Sequence, residues 1–168
     1  MQMSFLLLPR LLLALAVAVT CLPAEAFAER LEGLVVAVAD GDTITVLDDA
    51  KTQHRIRLSG IDAPERRQDF GNVSRQHLAN AVLQRRVVVE YDKTDRYGRL
   101  VGKVLLNGQD ECLAQVAAGL AWHYKKYEGE QPFEDRRAYA AAEDAARAAQ
   151  RGLWRDANPV PPWEWRHR

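Results

Sequence analysis

Apolar and polar positions alternate in five short runs along this chain, the pattern of strands with one buried face. The runs are Leu31–Val38, Thr43–Leu47, His54–Ser59, Val87–Tyr91 and Leu100–Leu106. Within His54–Ser59, Ile56 and Leu58 fall on one face, with Arg55, Arg57 and Ser59 on the other. Turn-forming residues separate the runs: Asp40-Gly41-Asp42, Asp48–Lys51, the charged stretch Asp92–Arg99 around Tyr97-Gly98, and Asn107-Gly108. Elsewhere the spacing becomes helical. Ser74 is the expected N-cap of a helix reaching Gln84, with Leu78, Val82 and Leu83 on its apolar stripe. A short helix is predicted over Glu111–Ala118, stopped by Gly119. A longer one runs from Pro132 to Gln150, with Tyr139, Ala142, Ala145, Ala149 and Leu153 near one face. Trp154 is expected to pack back on the core. Asn158–Arg168, with three prolines and two tryptophans, predicts an extended tail.

Three strands in meander order, a helix, two more strands and two helices predict an α+β chain that is mainly β. The expected architecture is a five-stranded OB-fold barrel with three helices, a fold whose strand face and loops often bind oligonucleotides. The length of 168 residues, 48% hydrophobic and 27% charged, suits one compact domain. The expected division is a signal peptide over 1–28, the barrel domain over 29–156 and a Pro/Trp-rich tail over 157–168. Arg10, the apolar run Leu11–Leu22 and Ala26-Phe27-Ala28 carry the first of these readings. The run is short for a bilayer span and suits a cleaved leader, so a secreted or periplasmic protein beginning at Glu29 is expected, free of the membrane after cleavage. A retained anchor, making this a membrane-tethered structural protein, is the alternative.

Cleavage would remove Cys21 and leave Cys112 alone, excluding an intramolecular disulfide and making Cys112 a buried, inert thiol. Lys and Arg number 23, as do Asp and Glu. A neutral chain is not a general polyanion binder, so any nucleic-acid role must rest on arginines grouped around a site.

The candidate chemistry lies at the end of the third run, in Arg57-Leu58-Ser59-Gly60-Ile61-Asp62-Ala63-Pro64-Glu65. Pro64 fixes its own φ and pushes Ala63 towards extended backbone, so the loop between the two carboxylates is stiff. Asp42, on a turn of the same meander, can approach Asp62 across 20 positions. Two such carboxylates with a backbone carbonyl and waters suit Ca²⁺. His54, His77, His123 and His167 are scattered and Cys112 is single, which argues against a transition metal. Asp95-Arg96-Tyr97-Gly98-Arg99 is a charged hairpin tip, which the barrel would bring beside the strand-three loop. Arg57 and Arg99 could then grip one phosphate from two sides.

Together, Asp40-Gly41-Asp42-Thr43, Arg57 to Glu65 and Asp95 to Arg99 resemble the thermonuclease (staphylococcal nuclease-like) family, from about Leu31 to Trp154. Asn107-Gly108, Gly119-Leu120-Ala121 and Gly152-Leu153-Trp154 are similar to its later landmarks. The resemblance implies Ca²⁺-dependent cleavage of DNA and RNA leaving 3′-phosphate ends. It places Asp42, Asp62 and the Ala63 carbonyl at the metal, and Arg57, Glu65 and Arg99 at the catalytic positions. Asp40 is expected to support the metal site from behind its carboxylates. Tyr97 and Tyr127 fall where the family contacts nucleotides, while Lys125 stands where another tyrosine is found. The expected partners are DNA and RNA, single-stranded or locally opened, met by a monomer. The alternative is a noncatalytic OB-fold module binding nucleic acid or peptide. A retired module would have no need of Asp42, Arg57, Asp62, Glu65 and Arg99 together.

Overall fold

The structure is a computed structural model that describes residues 29–168. The predicted leader and Cys21 lie outside the described residues. Strands β1 (Glu29–Val38), β2 (Thr43–Leu47) and β3 (Gln53–Leu58) form an antiparallel meander. A two-residue strand, β4 (Ile61–Asp62), precedes helix α1 (Gly71–Val82). Then come β5 (Arg86–Thr94), β6 (Leu100–Leu106) and the short β7 (Gln109–Asp110), followed by α2 (Glu111–Ala117) and the two-residue β8 (Trp122–His123). Helix α3 (Phe133–Ala148) and a single turn, α4 (Pro162–Trp165), complete the order.

β5 pairs with β1 and with β6, and β6 returns to pair in parallel with β3. That last pairing closes a five-stranded barrel of β1, β2, β3, β5 and β6, so the expected fold is the observed one. The alternating positions supply its interior: Val35, Ile44, Val46, Ile56, Leu58, Val89 and Val104 are each at most 1% exposed. Burying one such side chain contributes about 1.5–3 kcal/mol, which is why the period-2 register holds. On β3 this commits Ile56 and Leu58 to the core and turns Arg57 towards the opposite face.

The helices depart from expectation in instructive ways. α1 begins at Gly71, before Ser74, because the preceding loop already turns: Gln68 N–H donates to Glu65 O and Gly71 N–H to Gln68 O. Ser74 is a buried residue inside the helix, held by Gln115. α2 matches its predicted span to within one residue and is capped by Asp110, whose side chain accepts from the Cys112 and Leu113 amides. Such caps are worth about 1 kcal/mol. Cys112 is buried and free, and burial pushes its thiol up. In α3 the buried face is Tyr139, Glu143 and Ala146, and Ala145 and Ala149 are exposed. Glu143 is tolerated inside because it accepts from the His123 amide and from Lys125 Nζ, 3.1 and 2.6 Å away. Trp154 does pack inward, with its ring centroid 4.4 Å from that of Trp122.

The tail predicted as extended is not so throughout. Pro162, at the start of α4, opens a helical turn that lays Trp163 against Tyr124 and Trp122. Among the described residues, no helix is long and apolar enough to cross a membrane.

Candidate active site

The Asp40–Asp42 turn joins β1 to β2 and is held from three sides. Asp42 N–H donates to the Asp40 carboxylate at 3.0 Å. Gln115 Nε2, buried on α2, donates to Gly41 O at 2.7 Å. Gly41 must lack a side chain: a Cβ there would lie 1.8 Å from Ser74 Oγ and 2.7 Å from Ala63 Cβ. Gln115 had no recognisable motif around it, so its part in pinning this turn was not legible in the sequence.

The end of β3 is tied to the same turn, since Leu58 N–H donates to Asp42 O at 2.8 Å. The chain then reverses at Gly60, whose φ of +71° favours glycine, and Tyr124 N–H donates to its carbonyl. β4 follows and pairs with β8, Asp62 opposite Trp122. These contacts deliver Asp62 with no exposed surface and Asp42 with 6%. The Ala63 amide donates to Asp42 Oδ2 at 2.7 Å, and Thr43 Oγ1 donates to Asp42 Oδ1. Asp42 and Asp62, far apart in sequence, therefore share one neighbourhood.

A single guanidinium nitrogen reports how close they are. Arg57 Nη2 lies 2.9 Å from Asp62 Oδ1 and 3.2 Å from Asp42 Oδ2, while Nη1 donates to Leu58 O at 2.8 Å. Burial disfavours charge on Arg57, but Asp42 and Asp62 outweigh it and hold the group above its usual value. Burial pushes the Asp62 carboxyl up, and the bonds from Arg166 and the charge of Arg57 only partly offset that. Asp40 is pushed up to about 6, by burial and then by the charge of Asp42.

Glu65 lies on the loop after β4, its side chain 37% exposed. Its amide donates to Gln68 Oε1, closing the turn that leads to α1. Its carboxylate meets Arg166, a residue that sequence reasoning missed altogether. Arg166 Nη1 donates to Glu65 Oε1 at 2.7 Å, and Nη2 to Asp62 Oδ2 at 2.8 Å. Both carboxylates outweigh the burial penalty and raise the Arg166 guanidinium above its usual value.

Arg99 stands at the foot of the β5–β6 hairpin and borders the same cleft. Asp95 holds it, accepting from Nε and Nη2, each at 2.7 Å. Tyr97, 62% exposed, lies beside Arg99 with 5.4 Å between guanidinium and ring centroid. Tyr127 occupies a 3₁₀ turn over Lys125–Glu130, its ring edge-on to Tyr124. Lys125 is turned to Glu143. All the sequence-predicted site residues thus border one cleft, but only Asp42, Arg57, Asp62 and Glu65 are linked through shared guanidinium contacts.

Among the described residues, no three His, Cys, Asp or Glu side chains gather into a group that would hold a metal ion by themselves. The pair Asp42 and Asp62 nevertheless fits a hard divalent cation. Both are oxygen donors, they lie within reach of one Arg57 nitrogen, and Asp62 already attracts two guanidinium groups. The remaining ligands would be backbone oxygen and water, as such ions accept.

Comparison with known proteins agrees with this geometry. The family model described as "Staphylococcal nuclease homologue" matches residues 55–156. The chain is 44% identical over 139 residues to an "Uncharacterized endonuclease" of Escherichia coli O157:H7, covering 82% of this chain and 86% of that protein. It is 40% identical over 143 residues to the "Micrococcal nuclease" of Shigella flexneri, covering 80% and 79%. Protein ParB of Escherichia coli is 43% identical over 165 residues, covering 91% and 87%. A closed barrel whose strand ends present these carboxylates and arginines, in a chain so similar over most of its length, belongs to the staphylococcal nuclease family and is a nuclease.

Proposed function

We propose that this nuclease hydrolyses DNA and RNA, single-stranded or locally opened, with Ca²⁺ as cofactor, and leaves 3′-phosphate ends. The observation that carries the reading is the buried Asp42–Arg57–Asp62 cluster beside the accessible Glu65. Asp42, Asp62 and the Ala63 carbonyl are the residues that would hold Ca²⁺. Bound there, Ca²⁺ would supply Lewis acidity towards the phosphate and a water. Glu65 accepts a proton from the attacking water at its carboxylate. The new bond joins that water's oxygen to phosphorus, the bond to the 5′-oxygen breaks, the 5′-oxygen takes up a proton from solvent, and the 3′-phosphate and a 5′-hydroxyl separate. Arg57 and Arg99 donate to the non-bridging oxygens, where charge grows in the transition state, and one of them helps the 5′-oxygen leave. Tyr97 and Tyr127 contact nucleotides along the cleft. The protein acts as a monomer.

Acidic side chains slightly outnumber basic ones along the cleft, so a polyanion gains from the bound cation as well as from arginine. Digestion of plasmid and RNA in Ca²⁺ or in excess EGTA tests the cofactor: cleavage is expected to stop in EGTA and return with Ca²⁺ but not with Zn²⁺. Undiminished cleavage in EGTA would remove the metal from the reaction.

The protein is further proposed to act outside the cytoplasm, secreted or periplasmic, after loss of 1–28, because Arg10, Leu11–Leu22 and Ala26-Phe27-Ala28 form a leader pattern. Intact-mass measurement of the exported protein is expected to find Glu29 first, and a mature chain beginning at Met1 contradicts the reading.

A further inference from the structure

Residues Pro159–Arg168 lie outside the span that matches the family model. They are nonetheless fastened along the active-site cleft. Val160 O accepts from Gln68 Nε2 at 2.5 Å, on the same loop that carries Glu65. Pro162 is buried. Trp163 stacks on Tyr124, with ring centroids 5.3 Å apart and planes 14° from parallel, and meets Trp122 edge-on. The α4 turn then carries the chain from these anchors to Arg166.

Arg166 makes its contacts with two of the carboxylates required for the chemistry. Nη1 lies 2.7 Å from Glu65 Oε1 and 3.3 Å from Asp62 Oδ1, and Nη2 lies 2.8 Å from Asp62 Oδ2. We propose that Pro159–Arg168 is a built-in strap whose Arg166 guanidinium competes with the catalytic cation for Asp62 and ties up one carboxylate oxygen of Glu65 until it is displaced. The proposal rests on the assignment of Asp62 to the metal and Glu65 to the water.

The physical basis is competition between two cations for one site. A bidentate guanidinium satisfies both Asp62 oxygens, and the same oxygens cannot also serve Ca²⁺ without one partner yielding. A divalent ion against Asp42 and Asp62 would also repel the adjacent guanidinium. Arg57, whose side chain is 15% exposed and bonded to the Leu58 carbonyl, is fixed by the barrel. Arg166, at 41% exposed and just after a single helical turn, is the guanidinium able to leave. Its departure loosens the Trp163 contact, which makes indole fluorescence a reporter. Occupancy by the strap lowers apparent cation affinity by the fraction of molecules in which it is seated.

The test is calorimetric titration of CaCl₂ into the full chain, wild type against Arg166→Ala, with thermal melts to establish folding. Removing the competing ion pair is expected to tighten Ca²⁺ binding about five- to tenfold, the upper end for a partly exposed charge pair made bidentate. Trp163→Ala, which leaves Arg166 in place but removes its anchor, is expected to shift the affinity in the same direction by less. Titrating wild type is expected to change tryptophan emission, and Trp163→Ala to lose most of that change. If wild type binds Ca²⁺ and Arg166→Ala binds it equally or more weakly, the strap is overturned while the metal site stands. If none of the three proteins binds Ca²⁺, the metal assignment fails and the strap fails with it. Lower turnover of Arg166→Ala at saturating Ca²⁺, without tighter Ca²⁺ binding, would overturn the strap and make Arg166 a participant in the reaction.

Discussion

Glu65→Gln is expected to cut single-turnover cleavage by about a hundred- to ten-thousandfold, the usual contribution of a general base. Oligonucleotide affinity should change little, and Ca²⁺ affinity far less than turnover. Glutamine keeps the length of the side chain and one carbonyl oxygen, which can still accept from Arg166 Nη1, but it does not take up a proton near neutrality. The metal carboxylates are untouched, and Arg57 keeps its bonds to Asp62 and Leu58. The loss therefore belongs in turnover. Single-turnover cleavage beside binding titrations of a short single-stranded DNA checks this, at one salt concentration because phosphate contacts are salt-dependent. Wild-type rates in Glu65→Gln would mean that the water is activated elsewhere. A wild-type protein that binds but never cuts would establish the noncatalytic module.

Arg57→Lys is expected to cost on the order of a hundredfold or more in turnover, although it keeps the charge. One guanidinium reaches Leu58 O, Asp62 and Asp42 together, with partners 2.8, 2.9 and 3.2 Å away. An ammonium is one nitrogen and cannot span these positions while also facing a phosphate. The substitution should also lower stability by about 1–3 kcal/mol, since it leaves a buried acceptor underbonded near Asp62. Arg99→Lys separates the two effects. Its partner Asp95 sits on a hairpin tip bordering the cleft, so turnover should fall severely there too while the melting temperature barely moves. Equal turnover in wild type and either variant would remove that arginine from the phosphate.

The barrel was legible because alternation is local. Ile56 and Leu58 against Arg55 and Arg57 mark an inward and an outward face within six residues, and burial enforces that register. The turns were legible for a similar reason: Asp40-Gly41-Asp42 and Asn107-Gly108 are backbone preferences readable from neighbours. α3 was less so. Helical spacing pointed to Ala145 and Ala149, but a buried Glu143 bonded to the His123 amide and Lys125 rotates the true face. A carboxylate looks like a surface residue until its partners are known.

By itself, the sequence determined the succession of the five barrel strands along the chain, the stiff Asp62–Glu65 loop and the residue types that suit phosphodiester chemistry. Those follow from bond geometry, side-chain period and charge, all properties of short stretches. Only the tertiary structure decided which charges meet. Gln115 reaches Gly41 across 74 positions, and Arg166 reaches Asp62 across 104. No periodicity encodes such contacts. The energy of a guanidinium against a buried carboxylate depends on distance and desolvation, and both exist only once the barrel has closed and the Trp163 ring has settled on Tyr124.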